Sequence, residues 1–393
     1  MHSAYDPTWL DPDWLPEIPG GLPPLAPRPT GPGSADDLVG REQEMARLHS
    51  AVLRGGAHVT GQRRMGKTWL IQRLKAELTE PTAIYISAET SKLNVFEDRM
   101  LEQLRTNKAL HRDFARWEKK GKIRIKIGVT GFELELGGEM TEPANAVQNH
   151  DVLDLVRPAN GRPIVLIIDE ITNLCQALGP TDAAEFLRTL RARREADGLQ
   201  LVISGSIGIH HALTDLSPLT GLDEIKVGPL ATPDAVVLTA RLLLGIGTEP
   251  QPTLVADIVR QTCAIPYYIQ RTVDQWQWHQ DKSVDEIIDQ CLTTNLWDTD
   301  HYKTRLPDYY GTEGARQVEA ILDLVAFNPE WTSIDAIAAR LAVDMPDAVI
   351  QRRELITLLT NLVKDGYLVR EGTSVAMSSP LLARIWRGFG WHE

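Results

Sequence analysis

The 393-residue sequence contains only three cysteines, Cys175, Cys263 and Cys291, and no two of them form a CxxC pair. Such widely separated cysteines argue against a disulfide framework and against a zinc site, and they favour a reducing compartment. The sequence also lacks an apolar run of about 18 residues and a basic segment followed by an apolar one at its start. We therefore expect neither membrane insertion nor secretion, and we predict a cytoplasmic location and no membrane partner.

Basic residues are in deficit, because 41 lysines and arginines face 53 aspartates and glutamates and leave a net charge of −12. This balance opposes non-specific attraction to nucleic acid, so any such contact has to be local. The sequence also lacks a defensible GxSxG, HExxH or cysteine–histidine nucleophile pattern. With 43% hydrophobic and 24% charged residues, it has the composition of a folded protein of two to three domains.

Residues 1–35 hold nine of the 24 prolines. Because proline fixes φ and lacks a backbone donor, this stretch is predicted to be an extended, polyproline-like flexible leader. Trp9, Trp14 and Leu15 leave a second interpretation open, in which the leader docks on the body of the protein or on a partner.

Between residues 36 and 229, short apolar stretches alternate with helical patterns, which is typical of a parallel sheet flanked by helices. Residues 122–136 interrupt this order with two runs in which every second residue is apolar. A two-residue turn at positions 130–131 would pair Lys126 with Glu135. We expect an inserted β-hairpin, which is either a simple extension of the core sheet or a device that binds a partner.

The carboxy-terminal part of the sequence favours helices. Residues 230–296 are predicted to form a helical bundle, and residues 297–314, which include Pro307 and two glycines, a connector. Residues 315–393 show three helical patterns followed by two short strand patterns. This order is typical of a winged-helix domain.

One phosphate-binding motif is complete in the sequence. Residues 61–68 match G-x-x-x-x-G-K-[ST] between a predicted strand and a predicted helix, which is the context that this motif requires. Its glycines allow backbone N–H groups to point at phosphate oxygens, Lys67 adds a positive charge, and Thr68 places a hydroxyl on Mg²⁺. The predicted nucleotide-binding residues of this loop are Gly61, Gln62, Arg63, Arg64, Met65, Gly66, Lys67 and Thr68.

Two further predicted strands end in polar residues. The aliphatic residues 164–168 predict a strand buried on both faces, which delivers Asp169 and Glu170 to the edge where open α/β sheets bind ligands. We expect Asp169 to hold Mg²⁺, and Glu170 to orient or deprotonate the attacking water. The second strand ends at Ser204 and Ser206, whose hydroxyls could sense the γ-phosphate or that water. A polar strand end without a role is the alternative.

Arg191, Arg193 and Arg194 lie in the helical pattern ahead of this second strand. These arginines could supply transition-state charge to the nucleotide of a neighbouring subunit. The alternative is a solvated basic helix face.

Taken in order, these motifs and several others resemble those of the archaeal-type P-loop ATPases of the STAND/AAA+ group, which are related to origin-recognition ATPases and to signalling NTPases. The resemblance covers most of residues 38–390. The matching segments are residues 38–42 (LVGRE), 61–68 (GQRRMGKT), 168–171 (IDEI), 204–208 (SGSIG), 217–221 (SPLTG), 264–268 (AIPYY), 366–368 (GYL) and 379–382 (SPLL).

This resemblance implies an AAA+/STAND-like α/β P-loop NTPase sheet that binds ATP. It also implies that Val39 and Pro266 line the adenine pocket, and that residues 230–296 form a lid over it. Two positions depart from the family pattern, because Leu222 replaces an arginine and Ala264 replaces a glycine. The first departure removes a nucleotide-responsive charge, so it favours slow hydrolysis that serves as a switch over motor action.

The charge of the predicted winged helix bears on its partner. From Glu313 to Glu393 there are eight basic and eleven acidic residues, a net charge of −3. Affinity for DNA follows the number of cations that contact phosphates, so this balance favours contact with a protein. A local patch remains open, and its members would be Arg352, Arg353, Lys364 and Arg370.

The sequence therefore predicts an ATPase that requires ATP and Mg²⁺, turns over slowly, and acts as a nucleotide-dependent switch which recruits a protein partner or assembles with itself. A DNA-binding ATPase of the origin-recognition or transposition kind is the first alternative. A scaffold that holds nucleotide without hydrolysing it is the second.

Overall fold

The computed structural model describes residues 11, 13–29, 37–78, 82–88, 96, 99, 102–103, 106, 164–205, 208–213, 215–328, 330–344 and 351–388, and the backbone of residues 123–126, 134–136 and 148–151. The chain divides into two units. The α/β unit comprises Arg41–Gly61 and Lys67–Val227, and the helical unit comprises Met1–Gly40, Gln62–Gly66 and Gly228–Glu393.

The α/β unit is built on a five-stranded parallel sheet, as the sequence predicts. Its strands and helices are α1 (Glu42–Leu53), β1 (Gly56–Thr60), α2 (Lys67–Glu77), β2 (Thr82–Ser87), β3 (Ile123–Lys126), β4 (Leu134–Leu136), β5 (Gln148–Asp151), β6 (Ile164–Asp169), α3 (Ile171–Leu178), α4 (Pro180–Asp197), β7 (Gln200–Ser204), α5 (Ile209–Ala212) and β8 (Asp223–Lys226). The strand order in the sheet is β2-β6-β7-β1-β8. The carboxyl ends of β1, β6 and β7 therefore lie at one edge.

The core of this unit forms where the apolar strands meet the helices. All six residues of β6 are buried, because neighbouring strands flank it on both sides and its side chains pack on both faces. Leu174 and Leu187, from α3 and α4, belong to the same buried cluster as Ile168. Helix α4 begins with Pro180, where a missing N–H costs nothing, and Gly198 ends it in a left-handed conformation.

The inserted hairpin is present as strands β3 and β4, but its register differs from the prediction. Glu135 pairs with Arg124 instead of Lys126, which is a shift of two residues. Because side chains alternate with a period of two, such a shift keeps the same residues on the same face, and the apolar pattern cannot distinguish the two registers. The predicted turn at positions 130–131 lies outside the described residues.

The insert is a sheet of its own. Strand β5 pairs in parallel with β3, giving the order β4-β3-β5, and these strands are separate from the five-stranded sheet. The expectation that the hairpin simply extends the core sheet is therefore wrong. Strand β5 was missed because its sequence, Gln148–Asp151, carries no apolar alternation.

The helical unit continues the chain after Val227. Its elements are α6 (Thr232–Gly245), α7 (Pro252–Gln261), α8 (Pro266–Trp276), α9 (Val284–Thr293), α10 (His301–Thr304), α11 (Leu306–Ala326), β9 (Thr332–Ser333), α12 (Ile334–Asp344), α13 (Arg352–Lys364), β10 (Leu368–Glu371), β11 (Ser374–Met377) and α14 (Pro380–Gly388). Helix α9 begins with a capping box, in which Ser283 accepts from the N–H of Glu286 and the Glu286 carboxylate accepts from the N–H of Ser283. Within the described residues, no helix is long and apolar enough to cross a bilayer.

The predicted connector, residues 297–314, contains α10 and the beginning of α11. Pro307 lies in the first turn of α11, where its missing N–H breaks no helical bond. Gly311, at φ 69° and ψ 172°, has a non-helical backbone, so a kink at this residue separates α11 into two helical parts. After the kink come the three helices and two antiparallel strands, β10 and β11, in the predicted order. Strand β9 adds a third strand beside β11.

The proline-rich leader contacts the helices of its own unit along its described part. The N–H of Leu25 donates to the carbonyl of Arg241 at 2.9 Å, and the Arg241 side chain donates to the carbonyl of Pro23 at 3.0 Å. A Cβ on Gly245 would lie 2.0 Å from the carbonyl oxygen of Leu25, so α6 and the leader approach closely. In its described part the leader therefore contacts α6, as expected from the interpretation in which it docks on the body of the protein, and an extended chain leaves its backbone groups free for such contacts.

Candidate functional site

The two glycines of the phosphate-binding motif are required by the backbone. Gly61 follows β1 with a φ of 149°, and a Cβ there would lie 2.1 Å from the carbonyl oxygen of Val227. Gly66 has a φ of 87° just before α2. Only glycine adopts both conformations without strain, so the sequence spacing and the observed loop agree.

Lys67 closes the loop between its two ends. Its side chain is 6% exposed, and Nζ donates to the carbonyl oxygen of Gly61 at 2.8 Å. Thr68 is exposed in the first turn of α2. The cation and the hydroxyl are therefore adjacent at the start of the helix, where backbone N–H groups favour an anion.

The middle of the loop, which belongs to the helical unit, contacts other residues of that unit. Arg64 has a left-handed backbone at φ 75°, its guanidinium pairs with Asp298, and it lies 4.0 Å from the ring centre of Tyr267. The Gln62 amide donates to the carbonyl of Gly366 at 2.6 Å. Residues that the sequence assigns to the nucleotide thus direct their side chains to positions more than 200 residues further along the chain.

Arg63 and Met65, the remaining side chains in the middle of the loop, differ in their exposure to solvent. Arg63 is about half exposed and lies 3.9 Å from Asp298. The Met65 side chain is buried, at 3% exposure.

His301 lies close to these loop arginines, and its Nδ1 is 2.7 Å from the carbonyl oxygen of Asp298. Burial lowers the pKa of His301 to about 3, and the charges of Arg63 and Arg64 act in the same direction. His301 is therefore neutral at neutral pH.

Asp169 and Ser204 meet at the carboxyl edge of the sheet. The Ser204 hydroxyl donates to Oδ1 of Asp169 and accepts from the backbone N–H of Glu170 at 3.1 Å. Asp169 is 3% exposed, and its Oδ2 accepts from the Tyr85 hydroxyl at 3.0 Å. The structure therefore brings together three of the predicted residues, Asp169, Glu170 and Ser204, and adds Tyr85.

The position of this acid relative to the loop follows from the strand order. Strand β7 lies between β1 and β6, with Val59 opposite Ser204 and Ile168 opposite Ile203. Because neighbouring strands are about 4.8 Å apart, the end of β6 lies about 10 Å from the end of β1. The end of β1, where the loop begins, and Asp169 at the end of β6 therefore lie at the same edge of the sheet.

Two features shape the turns at these strand ends. Glu170 is half-buried with a left-handed φ of 58°, which turns the chain from β6 into α3. A Cβ on Gly205 would lie 2.7 Å from the hydroxyl of Thr172, so this glycine permits close packing of the two turns. Ser206, the other predicted sensor, lies outside the described residues.

Pro266 lies against the phosphate-binding loop. Its Cγ would be 3.9 Å from a Cβ placed on Gly66. Val39 is half-buried, and the next residue, Gly40, packs on Asp234 of α6. The assignment of Val39 and Pro266 to an adenine pocket stays a prediction.

The two departures from the family pattern have different structural consequences. Ala264 has a left-handed φ of 55°, a conformation that glycine adopts without strain. Leu222 packs on the hydrophobic cluster of the α/β unit, together with Leu219. An arginine at position 222 would need a different side-chain direction to keep its charge in water.

The basic residues of α4 have partners within their own unit. Arg191 donates to the carbonyl of Ser217 and pairs with Glu195, and Arg194 donates to the carbonyl of Thr220. Arg193 pairs with Asp197 at 3.1 Å. These contacts hold the turn at residues 217–220, and they favour a structural role over one in a neighbouring subunit.

Sequence reasoning missed Tyr85, Asp298 and Gly366. Tyr85 follows an ordinary strand pattern, and only the pairing of β2 with β6 brings it near Asp169. Asp298 and Gly366 are far from the loop in sequence, in segments without a nucleotide motif. One signal was available in the sequence: Tyr85, a residue with a polar hydroxyl, stands two residues before the end of the core strand β2.

Comparison with known proteins bears on the family and the fold of this chain. Residues 53–213 match the family model described as AAA domain. A Walker-type ATPase of Pyrococcus abyssi is similar in structure, with a TM-score of 0.64 and 19% identity, over 90% of this chain and 97% of that one. The ORC2 protein of Aeropyrum pernix, solved in ADPNP and ADP complexes, gives a TM-score of 0.51 and 13% identity, over 99% of this chain and 98% of that one. No curated protein matches the sequence.

At these levels of identity the structural likenesses show the fold. The parallel five-stranded sheet with its surrounding helices has the AAA+ type of P-loop NTPase fold, as the sequence predicts. The range that matches the AAA domain model, residues 53–213, includes the loop, Asp169 and Ser204.

Proposed function

We propose that this protein binds ATP with Mg²⁺ and hydrolyses it slowly. The bound nucleotide acts as a switch that controls whether the protein recruits a protein partner or assembles with itself. The observation that supports the proposal is that β1, which leads into the loop at Gly61, and β6, which ends at the buried Asp169, end at the same edge of one parallel sheet. Ligands bind at this edge in open α/β folds.

The residues present fit a triphosphate and a magnesium ion. The backbone at Gly61 has no room for a Cβ, and Lys67 brings a buried ammonium to the loop. The Thr68 hydroxyl and the Asp169 carboxylate offer the oxygen ligands that Mg²⁺ prefers, and they would hold it. Mg²⁺, when bound, neutralises the negative charge of the phosphate oxygens.

The chain's own groups then divide the remaining tasks. The ammonium of Lys67 has three donors, so a phosphate oxygen can accept from it while the bond to Gly61 persists. The Glu170 carboxylate would orient the attacking water or take its proton. Ser204 would hold the turn between Asp169 and Glu170, because its hydroxyl bonds to both residues.

The contacts of the loop's middle support a switch. Gln62 and Arg64 belong to the segment that binds the phosphates, yet their side chains bond to Gly366 and Asp298. A phosphate that rearranges this segment would also change these contacts. The proposed winged helix (residues 315–393), which contains Gly366, and the connector, which contains Asp298, would then respond to the nucleotide. The proposed lid (residues 230–296) would respond through Tyr267, whose ring centre lies 4.0 Å from the Arg64 guanidinium.

Slow turnover and a protein partner follow from two other observations. Leu222, which packs on the hydrophobic cluster, stands where the resembled family has an arginine, so one charge that would respond to the nucleotide is missing. In the proposed winged helix, Arg352 pairs with Asp335, which offsets part of the basic patch that DNA would need. We therefore keep DNA binding as the alternative outcome of the test.

One experiment tests the proposal. Phosphate release should be slow, independent of duplex DNA, and accompanied by an ATP-dependent change in mass measured by light scattering on the same sample. Stimulation by DNA that weakens with salt would favour the DNA-binding ATPase. Binding of ATP without phosphate release would favour the scaffold, and absence of ATP binding would overturn the proposal.

A further inference from the structure

The carboxylate of Asp169 is held by a hydroxyl on each of its oxygens. Ser204 donates to Oδ1, and Tyr85 donates to Oδ2 at 3.0 Å. A hydroxyl on Ser204 was expected at this edge from the sequence, whereas Tyr85 was not. The second donor therefore needs its own explanation.

Tyr85 is well placed for this contact by the pairing of β2 with β6. In this register Tyr85 lies opposite Ile167, and Ser87 lies opposite Asp169. Because side chains alternate along a strand and neighbours in register share a face, Tyr85, Ser87 and Asp169 lie on the same face of the sheet. The long phenol side chain reaches along the strand to the carboxylate.

A second contact joins Tyr85 to the helix that follows the phosphate-binding loop. Nζ of Lys75, in the last turn of α2, lies 5.2 Å from the centre of the Tyr85 ring. The residue is half-buried, so its hydroxyl is shielded but its environment is not closed. Tyr85 thus lies between α2 and Asp169 within the α/β unit.

We propose that Tyr85 is a positioning residue, which fixes the Asp169 carboxylate in the orientation that binds Mg²⁺; this inference rests on the proposed function. A carboxylate oxygen has two lone pairs, so one hydroxyl bond on each oxygen leaves lone pairs on both for a cation or for its water. Bonds to both oxygens also stop the carboxylate from rotating. Outer partners of this kind contribute about 10- to 100-fold to metal affinity.

The test is Tyr85→Phe, which removes the hydroxyl and keeps the ring. ATP affinity is measured by calorimetry in EDTA and over a series of Mg²⁺ concentrations. Affinity in EDTA should stay at the wild-type value, and the Mg²⁺ concentration that gives half of the gain in affinity should rise about tenfold. Electron paramagnetic resonance of Mn²⁺, with ADP present, gives a second measure of metal binding.

Ser87→Ala is the matched control. Ser87 lies on the same strand and face, and its buried hydroxyl has no hydrogen-bond partner among the described residues. Loss of this hydroxyl removes no contact to Asp169, so the Mg²⁺ dependence should not change.

Three results would count against the inference. A wild-type Mg²⁺ dependence in Tyr85→Phe would overturn it and leave the proposed function intact. An equal loss of ATP affinity with and without Mg²⁺, together with a lower unfolding temperature, would mean that the tyrosine only packs. If the wild-type protein binds no ATP in either condition, the proposed function fails, and this inference fails with it.

Discussion

The ends and the middle of the phosphate-binding loop are held by different parts of the chain. At the ends, Lys67 bonds to Gly61, and both residues belong to the α/β unit. In the middle, Gln62 and Arg64 bond to Gly366 and Asp298 of the helical unit. The motif is therefore divided, because its ends contact each other within the α/β unit and its middle contacts residues of the helical unit. In the proposed function, the ends would capture the phosphates and the middle would transmit the change to the helices.

The largest expected effect comes from the ends of the loop. Lys67→Ala removes the cation that would face the phosphates, so ATP affinity should fall by at least about 100-fold, since a lost charge-assisted bond costs about 3 kcal/mol. Calorimetry measures it. Lys226→Ala, which changes an exposed lysine of β8 in the same unit, should bind ATP normally. Equal ATP affinity in Lys67→Ala and the wild type would break the comparison at once.

Glu170, at the carboxyl edge of the sheet, should be needed for hydrolysis of ATP but not for its binding. Glu170→Gln keeps the size of the side chain but removes the negative charge that would attract the proton of water. Phosphate release should fall by about 100-fold or more, because general-base catalysis contributes about 10²- to 10⁴-fold. ATP affinity should stay within about twofold of the wild type. Normal phosphate release would exclude Glu170 from this role.

Two histidines extend the comparison to pH. The partly buried His58 precedes the loop, and the buried His301 lies beside Asp298. Burial lowers the pKa of His58, in β1, to about 4, and burial is also the largest cause that lowers the pKa of His301 to about 3. Both values lie below the unfolded value of about 6.5, so below this pH the unfolded chain takes up protons that the folded chain does not. Stability should therefore fall as the pH drops from about 6.5 towards these values.

At pH 5, each histidine should account for about 2 kcal/mol of this loss. Thermal unfolding at pH 7 and pH 5 measures the effect. His301→Gln should show a smaller loss than the wild type, because the side chain no longer titrates. An equal loss in the variant and the wild type would argue that His301 does not contribute.

The next prediction concerns the helical unit, to which the middle of the loop belongs. It tests the backbone conformation of Ala264, two residues before Pro266. Ala264 has a left-handed conformation that costs an L-residue about 1–2 kcal/mol relative to glycine. Ala264→Gly should therefore stabilise the protein by about 1 kcal/mol in thermal unfolding. Ala256→Gly, within helix α7, should destabilise it instead, by about 1 kcal/mol or more. A lower unfolding temperature in Ala264→Gly would contradict the strain argument.

The smallest expected effect on stability comes from the pair in the middle of the loop. Asp298 is more than half exposed, so its ion pair with Arg64 should contribute only about 0.5 kcal/mol. Asp298→Ala should hardly change the unfolding temperature. It should nevertheless reduce the effect of ATP on hydrogen exchange in α10 and α11. An ATP effect of wild-type size in Asp298→Ala would mean that the middle of the loop carries no signal through this pair.

Local patterns predicted more of this protein than long-range ones. The loop motif, the buried strand before Asp169 and the capping box at Ser283 each depend on a few adjacent residues, and each could be recognised from the sequence. The predicted hairpin was found, but its register was not, because an even shift leaves the apolar pattern unchanged. The connector was predicted for residues 297–314 because they include Pro307 and two glycines, and the pattern did not indicate that this segment contains α10 and the first part of α11, up to the non-helical Gly311.

The contacts that distinguish the site from its motif could not be predicted in this way. Tyr85 reaches Asp169 only because β2 pairs with β6, and Asp298 reaches Arg64 across more than 200 residues. A single sequence does not record such pairings. The fold class was therefore accessible, while the side chains that support Asp169 and Arg64 were not.

The charged composition of β8 limits how two copies of this chain can meet. This strand lies at the edge of the sheet, three of its four residues are charged, and the side chain of Arg47 caps the carbonyl oxygen of Glu224. An edge strand with charged side chains and a capped carbonyl group disfavours pairing with a strand of another molecule, and this protects against aggregation. Two copies of this chain are accordingly not expected to join their sheets along β8.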